Sequence, residues 1–412
     1  MARLAKLIAV SVALVCAGQA SAQLHLPGGV GAGLGGVLPN SPVGAVLPDV
    51  RDTLDRTAQD LSPRAIAQAR LDRLQRLVRQ FPKDLDLDET GDPVVRSEVL
   101  AISPTPAALD AAAKAGFTVA RHEILSGVDV EVVTLKAPPK MTTRQAVRRL
   151  KRLDPAGAYD FNPLYFQSAK AISLAGAPSV GPVRLGLIDT GLDARHPALA
   201  GIEVQTQGFA SDGYHAAAHG LAVASLTGVG KGGAVYSADV YGSGPAGGSA
   251  ASIARALAWM VQVKAPVINV SLVGPANLIV QQAVAGVQKK GALVVAAVGN
   301  DGPAAPPAYP ASYPGVIAVT AVDRRGKVLV EAGRALHLDF AAPGADISAA
   351  EGQGYGAVRG TSFAAPIVAG RLAALVRSGS ADPVAGLASQ ARKPGREYGK
   401  GLIGAEMLTS VR

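Results

Sequence analysis

From residue 183 onward the chain alternates short, almost purely apolar runs with longer helical segments. This alternation limits what it can fold into more than any other feature. Residues 183–188, 238–241, 267–272, 293–298 and 316–322 are rich in Val, Ile, Leu and Ala and bounded by Gly, Pro, Asn or Asp. Between them lie helical runs at 249–263, which holds the only tryptophan, Trp259, and at 278–290, closed by Gly291. Strands apolar at every position are buried on both faces. Such strands separated by helices predict an α/β unit with a mostly parallel sheet and helices on both faces. Few aromatics and 48 glycines suit close packing of these elements.

A different pattern precedes this unit. Residues 98–103, 117–125, 128–135 and 158–166 read as strands, and 105–116 and 142–153 as helices. The order strand, helix, strand, strand, helix, strand is the split βαβ pattern of a small α+β ferredoxin-like domain, placed at 97–168. Residues 51–96 form a helical N-terminal segment. Its second helix opens at Ser62-Pro63, with Ser as cap and Pro at the first position, and repeats Ile66, Leu71, Leu74, Val78 and Phe81 at helical spacing. Residues 23–50 are a Gly/Pro-rich linker. Gly31, Gly33 and Gly36 match a dinucleotide fingerprint there, but no strand precedes them and no helix follows at once, so the match carries nothing. Residues 169–182 read as a small-residue linker into the α/β unit, placed at 180–412.

The first 22 residues have the form of a secretory signal. Arg3 and Lys6 lead an apolar run, 7–16, too short to span a bilayer, and Ala20-Ser21-Ala22 supplies a cleavage pattern before Gln23. The product is expected to be secreted or periplasmic. The only cysteine, Cys16, lies inside this leader, so the remaining chain forms no disulfide. No later run has the roughly 18 uninterrupted apolar residues of a membrane helix. The formal charge is +9, but much of the Arg lies on helical runs before residue 153 and no nucleic-acid motif accompanies it. A solvated helix face accounts for it, and no nucleic-acid partner is expected.

In open parallel sheets ligands gather beyond the carboxyl ends of the strands. Asp189 ends 183–188, Ser271 lies near the end of 267–272, and Gly299-Asn300 ends 293–298. A carboxylate at the end of an apolar strand needs a partner. His219-Gly220 opens one helical run and Ser362, in Gly360-Thr361-Ser362, opens another. A nucleophile at a helix start gains from the dipole and the N–H groups there. Taken singly, each has a plain structural role: Asp189 a turn residue, His219 a satisfied histidine, Ser362 a helix cap, Asn300 a turn before Asp-Gly.

Four blocks, Ile188-Asp189-Thr190-Gly191, His219-Gly220, Ala297-Val298-Gly299-Asn300 and Gly360-Thr361-Ser362-Phe363-Ala364-Ala365-Pro366, together resemble the signatures of the subtilisin-like serine protease family (subtilase, S8). They stand in that family's order. The resemblance covers roughly residues 180–405. It implies a secreted serine endopeptidase in which Ser362 is the nucleophile, His219 the general base and then acid, and Asp189 the group that orients the imidazole. The Asn300 side chain and the Ser362 N–H would hold the oxyanion. Ser271, Leu272, Val273 and, in the run 244–248, Gly247 would pair with the substrate backbone, and Ala308, before Tyr309-Pro310, would border the specificity pocket. The ferredoxin-like unit resembles the family's propeptide, an intramolecular inhibitor and folding aid released by a cut within 167–173. The implied partners are a peptide or protein substrate and the chain's own prodomain. A monomer is expected, with no cofactor.

Three departures carry expectations. Leu221 follows His219-Gly220 where the family has Thr, which predicts altered packing behind the histidine. Val273 stands where the family has Gly, and with Ala308 it predicts a pocket for small or medium side chains. Ala198 follows His196-Pro197 where many members place a calcium-binding Asp, so no metal is expected. Two other functions share the same residues: a restrained, protease-like binding protein, and an esterase using the same three groups.

Overall fold

The computed structural model describes residues 62–167, 170–173, 177–352 and 354–408. The leader, the Gly/Pro-rich stretch and the first expected N-terminal helix lie outside the described residues.

The first helix, α1 (Pro63–Gln80), starts as its sequence dictates: Ser62 Oγ accepts from Ala65 N at 3.3 Å and Pro63 fills the first position. It ends before Pro82, whose ring cannot continue a helix. A small sheet follows, built from β1 (Leu85–Leu87), β2 (Pro93–Ile102), β3 (Thr118–Leu125), β4 (Val130–Lys136) and β5 (Ala158–Pro163), with helices α2 (Pro106–Lys114) and α3 (Thr143–Leu153). Thr105 caps α2, and Thr142 with Gln145 closes a capping box on α3. The strands lie in the order β5-β2-β4-β3, all antiparallel, with β1 added to the start of β2. The strand expected at 98–103 is therefore longer, because β1 pairs with Pro93–Val95, a partner invisible to local patterning.

Period-two alternation gives this sheet two buried faces. Val99, Ala101, Val133 and Leu135 pack with Ala112, Ala146, Val147 and Leu150 of the two helices. Leu100, Ile102, Val130 and Val132 face the other way, into the core of the larger unit.

That unit holds β8 (Arg184–Asp189), β9 (Glu203–Gly208), β10 (Ala234–Asp239), β11 (Val267–Val270), β13 (Leu293–Ala297), β14 (Ile317–Val322) and β15 (Phe340–Pro343). They form a seven-stranded sheet in the order β15-β14-β13-β11-β8-β10-β9, and every pair is parallel. Helices α4 (Ala218–Leu226) and α7 (Thr361–Arg377) cover one face, and α5 (Ala250–Gln262) and α6 (Leu278–Lys289) the other. Helix α8 (Pro383–Gln390) packs on α7. Alternation along β11 shows the two sides. Val267 joins the α4/α7 core and Ile268 and Val270 join the α5/α6 core. Strand β9, with the sequence EVQTQG and little burial, has no apolar signal and was not expected.

The strand order reverses beside β8: β10 and β9 lie to one side, β11 and the later strands to the other. The carboxyl ends of β8 and β11 therefore flank a crevice. The chain from the small domain enters this crevice. Its β6 (Phe166–Gln167) pairs antiparallel with β12 (Leu272–Val273), and β7 (Lys170–Ser173) pairs antiparallel with β17 (Gly354–Arg359), itself paired with β16 (Ala345–Glu351). The expected linker at 169–182 thus contains a strand. Its small residues gave no local sign of one, and the pairing comes from a hairpin far along the chain.

Candidate active site

Asp189 ends β8 and is fully buried. Its Oδ1 accepts from His219 Nδ1 at 2.7 Å, from Thr190 N at 2.6 Å and from Thr190 Oγ1 at 3.3 Å. A carboxylate accepting several hydrogen bonds meets the requirement set by its burial. His219 sits in the first turn of α4, and Gly220 beside it lets that turn approach β8. A Cβ there would lie 2.3 Å from Thr190 O. Thr190 Oγ1 also accepts from Gly220 N at 2.8 Å, so one threonine ties the strand end to the helix start. Leu221 is buried in the core behind the histidine. With Nδ1 bonded to Asp189, His219 Nε2 is buried and has no hydrogen-bond partner among the described residues.

Ser362 lies in the first turn of α7, whose cap Gly360 has φ +138°. Phe363, the next residue, packs with its ring centroid 5.5 Å from that of His219, which sets the start of α7 beside the imidazole. Ser362 and Ser271 are tied in both directions. Ser362 Oγ donates to Ser271 O at 3.0 Å, and Ser271 Oγ donates to Ser362 O at 2.8 Å. The second bond has a cause in the sequence. Pro366 stands four residues after Ser362 and has no N–H to return to its carbonyl. Ser271 supplies the donor that the helix cannot. Its hydroxyl oxygen in turn accepts from Asn269 Nδ2 at 2.9 Å. Asn269 was not singled out from the sequence, although a fully buried amide in an apolar strand two residues before Ser271 was a usable signal.

Asn300 closes the group. Its Oδ1 accepts from Thr361 N at 3.1 Å, which leaves Nδ2 buried and without a partner among the described residues. Gly299 (φ +84°) makes the turn that aims it, and a Cβ on Gly299 would fall 3.2 Å from Val273 Cγ1. Val273 thus presses on the turn before Asn300. Gly274, next along, exchanges backbone hydrogen bonds of 3.0 and 3.1 Å with Tyr309, so half-buried Ala308 lies next to the residue paired with it. The Tyr309-Pro310 bond is cis.

The crevice edges hold Leu164–Gln167. Gln167 and Phe166 pair with Leu272 and Val273 on one side, and Tyr165 N donates to Gly248 O at 2.8 Å on the other. Of the two glycines, it is the second that meets this segment. Gly248 makes the pairing, while Gly247 is pressed on Tyr241, where a Cβ would lie 2.2 Å from its carbonyl oxygen. Tyr241 is fully buried and donates to Tyr165 O at 2.9 Å; burial, then the nearby Asp189 charge, push its phenol pKa up and keep the proton in place.

Two helix starts in the larger unit are capped from the small domain. Asp160 Oδ2 accepts from Leu278 N at 2.9 Å and Asn277 Nδ2 at 3.0 Å, and Asn162 Oδ1 accepts from Ala251 N at 3.1 Å.

Comparison with known proteins gives the family. The Subtilase family model matches residues 182–386. Subtilisin E of Bacillus subtilis is 32% identical over 302 residues, covering 64% of this chain and 77% of its own. Subtilisin DY of Bacillus licheniformis is 35% identical over 250 residues, covering 54% and 89%. Among solved structures, fervidolysin from Fervidobacterium pennivorans, described as a keratinolytic enzyme related to subtilisin, superposes with a TM-score of 0.63 at 19% identity. That match covers 80% of this chain and 63% of the fervidolysin chain, and it speaks for the fold alone. A parallel sheet with its polar groups at a strand-order reversal and close sequence kinship over most of the subtilisins' length agree: the chain belongs to the subtilase family and is a serine endopeptidase.

Proposed function

We propose that Asp189, His219 and Ser362 are the catalytic triad of a secreted endopeptidase made as a self-processing zymogen, with Asn300 Nδ2 and the Ser362 N–H as oxyanion donors. One observation carries the reading: the 2.7 Å Asp189–His219 hydrogen bond fixes Nδ1 as donor and leaves Nε2 open beside the first turn of α7. In the structure the Ser362 hydroxyl donates to Ser271 O, so rotation about its Cα–Cβ bond is what delivers it to Nε2. From there Nε2 takes the hydroxyl proton as the oxygen attacks the scissile carbonyl. The imidazolium, held by Asp189, then returns the proton to the leaving amine. Asn300 Nδ2, its amide oriented by Thr361 N, donates to the developing oxyanion.

The zymogen reading rests on the occupied crevice. Leu164–Gln167 takes the place an extended substrate would take, and the small domain caps α5 and α6 from outside. Residues 97–168 would be the inhibitor and the cut would fall in 167–173. Val273 against Gly299 supports a pocket for small or medium side chains. The leader-bearing chain and its Ser362→Ala form test the proposal together. Self-cleavage near residue 170 is expected in the first and absent in the second, and cleavage in both or in neither overturns it.

A further inference from the structure

We infer that α1 is a second inhibitory element, distinct from the small domain's sheet, that straps Leu164–Gln167 into the crevice and grips the loop carrying Asn300. The inference rests on reading that crevice as the substrate cleft and Asn300 as an oxyanion donor. One face of α1 makes the contacts that matter here. Ile66, Arg70, Arg73, Leu74 and Leu77 recur at helical spacing. Leu74 and Leu77 are buried with Leu85, Leu164 and Phe166, and Ala246 of the larger unit packs against this cluster. Phe166 is thus paired with β12 through its backbone and roofed by α1 through its side chain.

The other contacts reach the catalytic loop. Arg73 Nη2 donates to Asp301 Oδ1 at 2.7 Å, and Arg70 Nε donates to Asp301 Oδ2 at 3.1 Å. Arg70 Nη2 also donates to Asp92 Oδ1 at 2.6 Å, so one guanidinium joins the small domain to the larger unit. These side chains are only 15% exposed for each Arg and 22% for Asp301, and such a pair is screened far less than one on the surface. Ile66 touches Gly302, where a Cβ would lie 2.9 Å from its Cγ2 and where φ is +80°. Asp301 and Gly302 directly follow Asn300. A helix that precedes the inhibitor domain in the chain therefore holds the two residues that follow Asn300, and cutting the chain near residue 170 breaks none of these contacts.

The test uses the full chain in its Ser362→Ala form, exposed to a low concentration of trypsin. Lys170 is the sole Lys or Arg between Arg152 and Arg184, so the cut after it, followed by mass spectrometry, reports how often the chain opens where it leaves the strapped segment and joins β17. Arg70→Ala with Arg73→Ala should raise that cutting rate at least tenfold with an unchanged circular dichroism spectrum. Asp301→Asn, which removes the anchor from the other side and leaves α1 intact, should do so too and decides the matter if the double variant fails to fold. A rate within twofold of the parent in the folded variants overturns the inference. Each chain is also incubated without trypsin, and only cutting that needs trypsin is counted, so a wrong triad cannot produce that result.

Discussion

Replacing Ser271 by Ala should cost more than a surface hydroxyl would, because two buried groups lose their partner at once. The Ser362 carbonyl loses the donor that stands in for the missing Pro366 N–H, and Asn269 Nδ2 loses its acceptor. Ser271, Asn269 and Ser362 are all fully buried. Each stranded group costs about 1–3 kcal/mol, so a loss of about 3 kcal/mol is expected. If Pro366 is the cause, then Pro366→Ala restores a helical N–H to that same carbonyl and should rescue the Ser271→Ala chain by about 1–2 kcal/mol more than it helps the parent. The four chains of this cycle are compared by urea unfolding in a Ser362→Ala background, which prevents self-digestion and keeps the carbonyl. Trp259, the only tryptophan, is buried between Phe209 and Tyr236 and reports unfolding of the larger unit. A Ser271→Ala cost below about 0.5 kcal/mol, or effects that simply add, would refute the exchange of donors.

Three further outcomes are expected. Asn300→Ala should lower kcat about a hundred- to thousandfold with little change in KM, the size known for losing this kind of donor in subtilisin; a change below tenfold in steady-state peptide hydrolysis would remove Asn300 from the oxyanion site. Val273→Gly should raise kcat/KM for Phe relative to Ala before the scissile bond by about tenfold or more, and an unchanged ratio in a matched peptide series would show that the valine does not border the pocket. The Asp301 carboxyl is raised by burial but lowered more by Arg73 and Arg70, to a net value below its ordinary 3.8. The stabilisation it gives is complete above that value and disappears as pH falls through the lowered one. Amide exchange at Phe166 and Gln167, corrected for intrinsic rates, should therefore accelerate as pH falls below the ordinary carboxyl value of 3.8, and equal acceleration in Asp301→Asn would assign the effect to other groups.

What the sequence disclosed divides along a physical line. Strands such as Arg184–Asp189 and Val267–Val270 are buried on both faces, so their own composition announces them, and so does the polar residue at the end of each. Helix starts at Ser62, Thr105, Thr142, Ser249 and Asn277 carry their caps next to them. Glu203–Gly208 and Lys170–Ser173 are strands because of their neighbours, β10 and β17, and no local pattern marks them. The Ser271–Ser362 exchange and the Arg73–Asp301 pair join residues 91 and 228 positions apart, and only the folded chain shows them. The roles of Gly247 and Gly248 part for a similar reason. Both glycines are locally alike, and the choice falls to which one the turn after Tyr241 pushes against the protein and which it turns toward the crevice.

Among the described residues, five buried polar atoms without hydrogen-bond partners gather at one place. Asp189 Oδ2, His219 Nε2, Asn269 Oδ1, Asn300 Nδ2 and Thr361 Oγ1 lie at the ends of β8, β11 and β13 and the starts of α4 and α7. Each such atom costs stability in a folded protein, about 1–3 kcal/mol. An apolar or fully paired arrangement would be more stable, so their persistence needs a compensating use. Their companions on the same side chains are paired: Asp189 Oδ1, His219 Nδ1, Asn300 Oδ1 and Asn269 Nδ2 each make a hydrogen bond that fixes the group's orientation. One end anchored and the other held ready is the arrangement that lets donors and acceptors meet a changing charge without first reorganising. The strap by α1 fits the same logic. If these groups are the proposed catalytic centre, the site is ready to act as soon as the fold forms. Holding the chain's own Leu164–Gln167 there, and gripping the loop beside Asn300 from a separate helix, would delay that readiness without disturbing the groups that create it.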